Sequence, residues 1–480
     1  MKIIFKNNNG EILIQAIVFG IIATIFIGGL VNWAIFNIKA ARQTLNREFS
    51  IQIAEAGIDY YRWHLAHAPS DYYDGTGIPG HYTHDFKDKE GNIIGQFTLD
   101  ITPPPAGSTL VKIKSTGHVV DDSDTSRSIA VQFVIPSFAK YAVIANSEMR
   151  FGEGTEVFGP IHSNGGIRFD GLAHNIISSV MESYNDPDHS GNKEFGVHTH
   201  VSPVDPLPPN PVPTRTDVFM AGRQFPVPSC DFDGLTSDLA QIKEDAEAAG
   251  MYFSDSGALG YHIVLRTDDM FELYRVNTLV PIPSGCTLAS GQQKWGTWSI
   301  LGETLMDTYS FPANGLIFIE DDLWINGQID TARLTIAAGR FPDNPAHRKS
   351  ITVNNDLLYT NYDGRDIIAL IAQDNFNVGF ISEDDLRIDA ALISQNGRVG
   401  RYYYRPPSDS KDRCAPYHLR QTITLYGMLA SNERYGFSYA NGTGYQIRNI
   451  IYDTNLLFSP PPNFPLTSDQ YTIISWEEVK

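Results

Sequence analysis

The sequence predicts a mainly β protein with one long N-terminal α-helix. The body is expected to be a β-solenoid carrying a small α+β insertion, with a β-sandwich as the alternative. Three observations carry this. An uncharged apolar stretch near the start runs on, without a break, into an amphipathic one. Forty glycines and twenty-eight prolines in 480 residues punctuate the rest too often for a helical fold. A short apolar–Asn/Asp–apolar pattern also recurs through the second half of the chain.

The first element is the helix. Ile12 to Ile38 holds no formal charge, and its strongly polar side chains are Gln15, Thr24, Asn32 and Asn37. At a rise of ~1.5 Å per residue the stretch spans roughly 40 Å, enough to cross a hydrocarbon core of ~30 Å with tilt. After Lys39 no proline appears before Pro69, and the one glycine is Gly57. Ala41, Leu45, Phe49, Ile53, Ala56, Tyr60 and Trp63 follow at steps of three and four, so they define one apolar face. Arg42, Arg47, Glu48 and Glu55 fall largely away from it. The expectation is a helix over 11–68, ~85 Å long, membrane-bound in its first half and seeking a partner for its second.

Before the helix, residues 1–10 read as a leader with Lys2 and Lys6, followed by Asn7-Asn8-Asn9-Gly10-Glu11. A secretory signal places its cleavage site after the apolar region, whereas here the candidate bond Gly10–Glu11 lies before it. That order resembles class III leaders of type IV prepilins. The run from Glu48 to Tyr61, with Ala54-Glu55-Ala56-Gly57, resembles the corresponding segment of PilX-like minor pilins. The resemblance covers roughly residues 8 to 68. It implies cleavage by a prepilin peptidase and retention of the helix as an assembly element contacting other pilin subunits and the pilus assembly machinery. Major pilins carry a glutamate at the fifth mature position. Gln15 stands there in this chain, which implies a minor rather than a filament-building subunit. An uncleaved single-pass anchor is the plain alternative.

Next, residues 69–136 are expected to form a small β domain packed on the helix. Its strands alternate around Phe97–Ile101, Leu110–Lys114 and Ser128–Val134, with Pro103 to Gly107 as a break. The solenoid-like body is placed at 137–184 and 313–450. Aligning its pattern on Ile319, Val353, Ile371, Ile393 and Leu429 gives steps of 34, 18, 22 and 36 residues, near one coil or one coil plus a loop. The stretch 185–312 reads as a proline-rich linker, Ser202 to Arg215, then an α+β insertion. Its one helix is expected over Thr236–Ala249, with Thr236 or Ser237 as cap and Gly250 as stop. Residues 451–480 read as a capping segment, in which Pro460-Pro461-Pro462 stops the last coil.

Chemistry-bearing motifs are sparse. Phosphate-binding glycine loops, nucleophile elbows and His-Glu-x-x-His do not occur. His81 with His84, and His198-Thr199-His200 near His189 and Asp188, are the tightest histidine groups. The second could ligate zinc, but it has no third ligand at firm spacing, so solvated loop histidines and no metal are the expectation. Asp121-Asp122-Ser123-Asp124 reads as a charged hairpin turn rather than a calcium loop. Asp321-Asp322 and Asp384-Asp385 invite a membrane-tethered polysaccharide hydrolase, yet adjacent strand residues point to opposite faces. Tyr402-Tyr403-Tyr404 and Trp324 are candidates for a surface-glycan contact, against ordinary aromatic packing. A net charge of −19 speaks against nucleic acid. Cys230, Cys286 and Cys414 permit at most one pair, and three free thiols are the expectation. A non-catalytic, cofactor-free, membrane-anchored surface protein with an exported body is the reading that follows.

Overall fold

The computed structural model describes residues 9–104, 109–120, 122–189, 191, 193–232, 235–287, 292–408, 410–466 and 470–479. Most of the expected leader, Pro105 to Gly107 of the expected break, and Asp121 lie outside the described residues. The chain forms two compact units, 1–103 with 111–133 and 471–480, and 104–110 with 134–470.

In the first unit α1 runs unbroken over Asn9–His67, 59 residues. It is continuous because nothing in it removes a backbone donor before Pro69. An antiparallel sheet packs on it, with strands His81–Lys87, Ile93–Thr102, Val111–Val119, Asp122–Val134 and Thr472–Val479 side by side. The fifth strand carries Trp476 and Glu478, so the end of the chain completes this sheet. Polar pins add to the packing: Asn46 Nδ2 donates to Asp122 Oδ2 at 2.8 Å, and Ser50 Oγ to the Thr125 carbonyl at 2.8 Å. Asp122 therefore fixes a hairpin to the helix. His84 contacts Asp74 at 2.7 Å and stacks on Phe97, and His81 contacts Asp100.

The second unit is a three-sided parallel solenoid, which excludes the sandwich. One ladder runs Ile317↔Ile336↔Leu370↔Leu392↔Leu429↔Val143↔Ile161↔Ile177. A second face stacks Leu323↔Ile351↔Phe376↔Val399, and a third Leu357↔Ile388↔Leu425↔Ile450↔Val157↔Ala173. Each rung buries its aliphatic side chains against the next, so the interior is one continuous apolar column. The expected repeat alignment needs two corrections: Ile371 and Ile393 stack on each other, but their column takes in Phe318, Ala337 and Ala430, one residue off Ile319 and Leu429. Ile319 stacks on Ala338, Ala372, Ser394 and Ser431, whereas Val353 follows the strand Ile351–Thr352 on the neighbouring face. The same short motif occurs on two faces, and aligning by motif alone merged them.

The coils do not stack in chain order. Residues 143–145 pair directly with 429–431, so the chain enters mid-solenoid. It runs to the coil that contains 223–224, and resumes at 251–253 beside 317–319. An asparagine ladder bridges the junction: Asn164 Nδ2 donates to Asn146 Oδ1 at 2.7 Å, and Asn146 Nδ2 to Asn432 Oδ1 at 2.9 Å. These are the motif's Asn positions, and stacked amides satisfy one another at the corner.

Residues 185–312 are joined to the solenoid rather than set apart from it. Met251–Phe253 and Tyr261–Leu265 pair in parallel with 317–319 and 323–327. Two antiparallel strands, Met270–Leu279 and Ile300–Ser310, extend from the second of these. The proline-rich stretch is pinned by Asp205, which accepts from Arg223 at 2.5 Å. Helix α2 covers Leu235–Ala249, so Thr236 and Ser237 lie inside it rather than at its cap, and Gly250 follows it. Leu239, Ile242 and Ala246 lie in a second core on the outer side of the first face, with Phe138, Phe318, Ile371 and Phe464. The segment around Pro460-Pro461-Pro462 belongs to this flank. Arg333 donates to the Ser459 and Pro460 carbonyls and Thr335 Oγ1 to that of Pro462. It seals the side of the coils instead of stopping the last one.

Two further expectations, on the cysteines and the histidines, are corrected. Cys286 and Cys414 form a disulfide of 2.04 Å, leaving Cys230 free. Tyr402, Tyr404 and Trp324 are buried, in keeping with ordinary aromatic packing rather than a glycan surface. Tyr402 and Tyr404 instead surround the disulfide with Phe380. His198 is buried and His200 nearly so, against the expectation of solvated loop histidines.

Candidate functional site

The sequence places function on α1, and its structure divides that helix into three kinds of surface. The apolar N-terminal portion is the one helix among the described residues long and apolar enough to cross a membrane, and none of its most hydrophobic window is covered by the rest of the chain. Ile12, Val18, Phe26, Leu30, Trp33 and Phe36 are all exposed along it. Water would not tolerate such a surface left bare. Gln15 sits on this surface. Gly10 and Glu11 are helical in backbone, so the helix begins two residues before the expected Glu11; the Glu11 side chain lies outside the described residues. Gly20, Gly28 and Gly29 have nothing within 4 Å of where a Cβ would stand.

The second surface faces the sheet. Ser50, Ile53, Ala54, Gly57, Ile58, Tyr61 and Leu65 are buried. Small residues let the backbones approach. A Cβ on Gly57 would lie 2.8 Å from Phe97 Cδ2 and nearer still to Ser115 Oγ. One on Gly117 would lie 2.5 Å from the Ala54 nitrogen. Tyr61 completes the contact by donating to the Asp71 carbonyl at 2.9 Å.

The third surface is the expected apolar stripe. Of its members, Ile53 is buried, and Ala56 and Tyr60 are half-buried, Tyr60 donating to Asp74 Oδ1 at 3.1 Å. Ala41 is exposed, and Leu45, Phe49 and Trp63 remain 55 %, 45 % and 59 % exposed. With roughly 100° of turn per residue, the stripe is centred roughly 140° round the helix from the covered face. Hydropathy periodicity found the large residues and missed the covered face, because Ser50, Ala54 and Gly57 carry almost no hydropathic signal. Their small size is the signal, and only a partner gives it meaning.

The acidic doublets have structural partners. Asp321 accepts from Ser256 and from Lys349 at 2.6 Å, and Asp384 from Arg420 at 2.9 Å. Asp322 is pushed up to about 6, chiefly by burial, with Lys349 opposing.

Helix and body together define the class: a protein with a single candidate membrane-spanning helix that continues into a β unit, in a chain whose larger unit is a parallel β-solenoid. No family model matches the chain, and no curated protein matches it. Among solved structures, that of the competence-associated pilin ComZ from Thermus thermophilus is similar at 11 % identity and a TM-score of 0.28, over 90 % of this chain and 98 % of that one. At that score the two chains do not superpose as one fold, and the likeness carries no argument.

Proposed function

We propose that this protein is a minor-pilin-like, non-catalytic subunit of a type IV pilus or a related assembly, anchored by α1 and carrying its β units outside the membrane. The observation that carries the reading is the division of α1. A bare apolar segment continues without interruption into a stretch whose one face is filled by its own sheet. On another face Leu45, Phe49 and Trp63 are left for a neighbour. A plain anchor has no use for an uncovered apolar stripe beyond the membrane. A subunit that packs helix against helix does. The partners of this reading are other pilin subunits, the assembly machinery and a prepilin peptidase acting at Gly10–Glu11.

The disulfide supports export, since structural disulfides persist in oxidising compartments. Gln15 in place of a carboxylate supports a minor role, because an amide in lipid forgoes an ion pair with a neighbouring amino terminus. Mass spectrometry of the N-terminus of the membrane-extracted protein tests the reading. A mature chain starting at Glu11 is expected, and retention of residues 1–10 would replace it with a plain single-pass anchor.

A further inference from the structure

In the solenoid coil between 177 and 224, four titratable side chains converge. Asp186 follows the short strand Ser183–Tyr184, Glu194 lies on Glu194–Phe195, His198 on Val197–His198, and His200 follows two residues on. The alternation of an extended segment puts His198 and His200 on one side. His198 is fully buried, and both of its ring nitrogens lack a hydrogen-bond partner. Asp186 Oδ2, Glu194 Oε2 and His200 Nε2 are likewise buried without one. Five orphaned polar atoms in one place are unusual, because each costs about 1–3 kcal/mol of uncompensated desolvation.

The spacing is that of ligands around an ion rather than of hydrogen bonds. His198 Nε2 stands 3.6 Å from Asp186 Oδ2, and His200 Nε2 stands 3.6 Å from Glu194 Oε1. Those separations exceed hydrogen-bond reach. Bonds of ~2.0–2.1 Å to a tetrahedral ion place neighbouring ligand atoms about 3.3 Å apart, close to what is found. Asp186, His198 and His200 offer ligand atoms all within 4.8 Å of one another, and so do His189, Glu194 and His200. His200 belongs to both groups.

We propose that Asp186, His198 and His200 hold one divalent transition-metal ion of the zinc class, with Glu194 closing the site from the other side of the His200 ring. Two imidazoles exclude calcium and magnesium as the preferred occupant. His189 Nδ1 lies 3.1 Å from Glu194 Oε1 and orients that carboxylate from the solvent side. Arg168 is the competing cation, 3.6 Å from Asp186 Oδ2, but its Nε is already held by Asp170 at 2.7 Å. Closed on nearly all sides, the site is structural. The ion ties the hairpin of 183–184 and 194–195 to the strand at 197–198, where a short coil has few aliphatic residues to hold it. The inference is independent of the pilin reading.

The test uses the full-length chain in detergent, stripped with chelator, incubated with ZnCl2 alone and desalted. Elemental analysis is expected to find one zinc per chain, and thermal unfolding of the loaded protein to shift upward and return on adding EDTA. Co2+ in place of zinc should give the visible absorption of a tetrahedral site. Because His198→Ala removes a buried ring and can fail to fold, the deciding variants are His200→Ala and Asp186→Asn. Both are expected to keep the melting temperature of the metal-free protein and lose the retained equivalent. Failure of the wild type to retain Zn2+, Co2+, Ni2+ or Mn2+ stoichiometrically overturns the proposal, as does equal retention by both variants.

Discussion

Replacing Cys286 and Cys414 together by alanine opens a loop whose ends lie 128 residues apart in sequence. In the chain-entropy description the cross-link denies the unfolded ensemble about 5 kcal/mol of freedom for a loop of that length. The native side adds little to change: Cys414 is fully buried and Cys286 nearly so, and alanine leaves Phe380, Tyr402 and Tyr404 packed around the gap. The double variant is therefore expected to lose about 2–5 kcal/mol in denaturant titration. The same loss should follow reduction of the wild type. Thiol counting gives the sharper readout. Denatured, unreduced protein should show one reactive thiol, Cys230, and three after reduction. Three thiols before reduction, or an unshifted denaturation midpoint in the double variant, would refute the cross-link and remove the argument from it to an exported body.

Asp322→Asn should stabilise the body near pH 7.5 and have almost no effect near pH 3. The folded carboxyl is raised to about 6, so its ionised form costs stability above that pH, and the cost disappears once folded and unfolded states are both protonated. At about 1.4 kcal/mol per unit the shift is worth about 3 kcal/mol, reduced to about 1–2 because the side chain is a quarter exposed; urea melts at the two pH values read it. Gly57→Val should cost about 2–3 kcal/mol by overpacking against Phe97 and Ser115, whereas Gly28→Ala, facing open space, should leave the melting of the β units unchanged. Leu45→Ser with Phe49→Ser should alter melting by less than about 0.5 kcal/mol, since both side chains are largely exposed, but abolish cross-linking to neighbouring subunits in the membrane. Arg401→Met should cost about 3–5 kcal/mol in denaturant titration, because this fully buried guanidinium donates to the carbonyls of Gly379, Phe380 and Tyr417 and to Ser382 Oγ, and those hydrogen bonds are lost together.

What the sequence made legible followed from the range of the interactions involved. The helix is local: its length, its lack of proline and the absence of charge over Ile12 to Ile38 are readable residue by residue. The solenoid was legible because each coil repeats the same demand, an apolar rung followed by a corner amide, as at Asn146, Asn164 and Asn432. Illegible were the features that arise when distant segments meet. Nothing near Cys286 announces Cys414. Gly57 looks like a weak point in a helix until Phe97 and Ser115 are seen against it. His198-Thr199-His200 shows no third ligand in sequence because the neighbouring Asp188 is held by Arg434 and Arg150; Asp186, two residues earlier, is the carboxylate that faces His198.

The order of the coils carries a consequence for how such a body can come into being. Strand 143–145 sits between 429–431 and 161–163, so the rung that joins the two halves pairs residues made far apart in the chain. A solenoid read in sequence order can grow coil by coil as it emerges, each rung paid for by the one before it. Here the half from 143 to 224 has an unpaired face until the strand Leu419–Ser431 has formed, and Gly427, in that strand, has a positive φ that brings it against Ala390. The apolar edge of Val143 and Val157 is thus exposed for most of the chain's emergence, which is the circumstance in which strand edges aggregate. Ser163 and Ser431 at the rung ends, with Asn146, Asn164 and Asn432 at the corner, make the final docking specific as well as apolar: a register slip of one residue would break the amide ladder and turn every rung side chain to the wrong face.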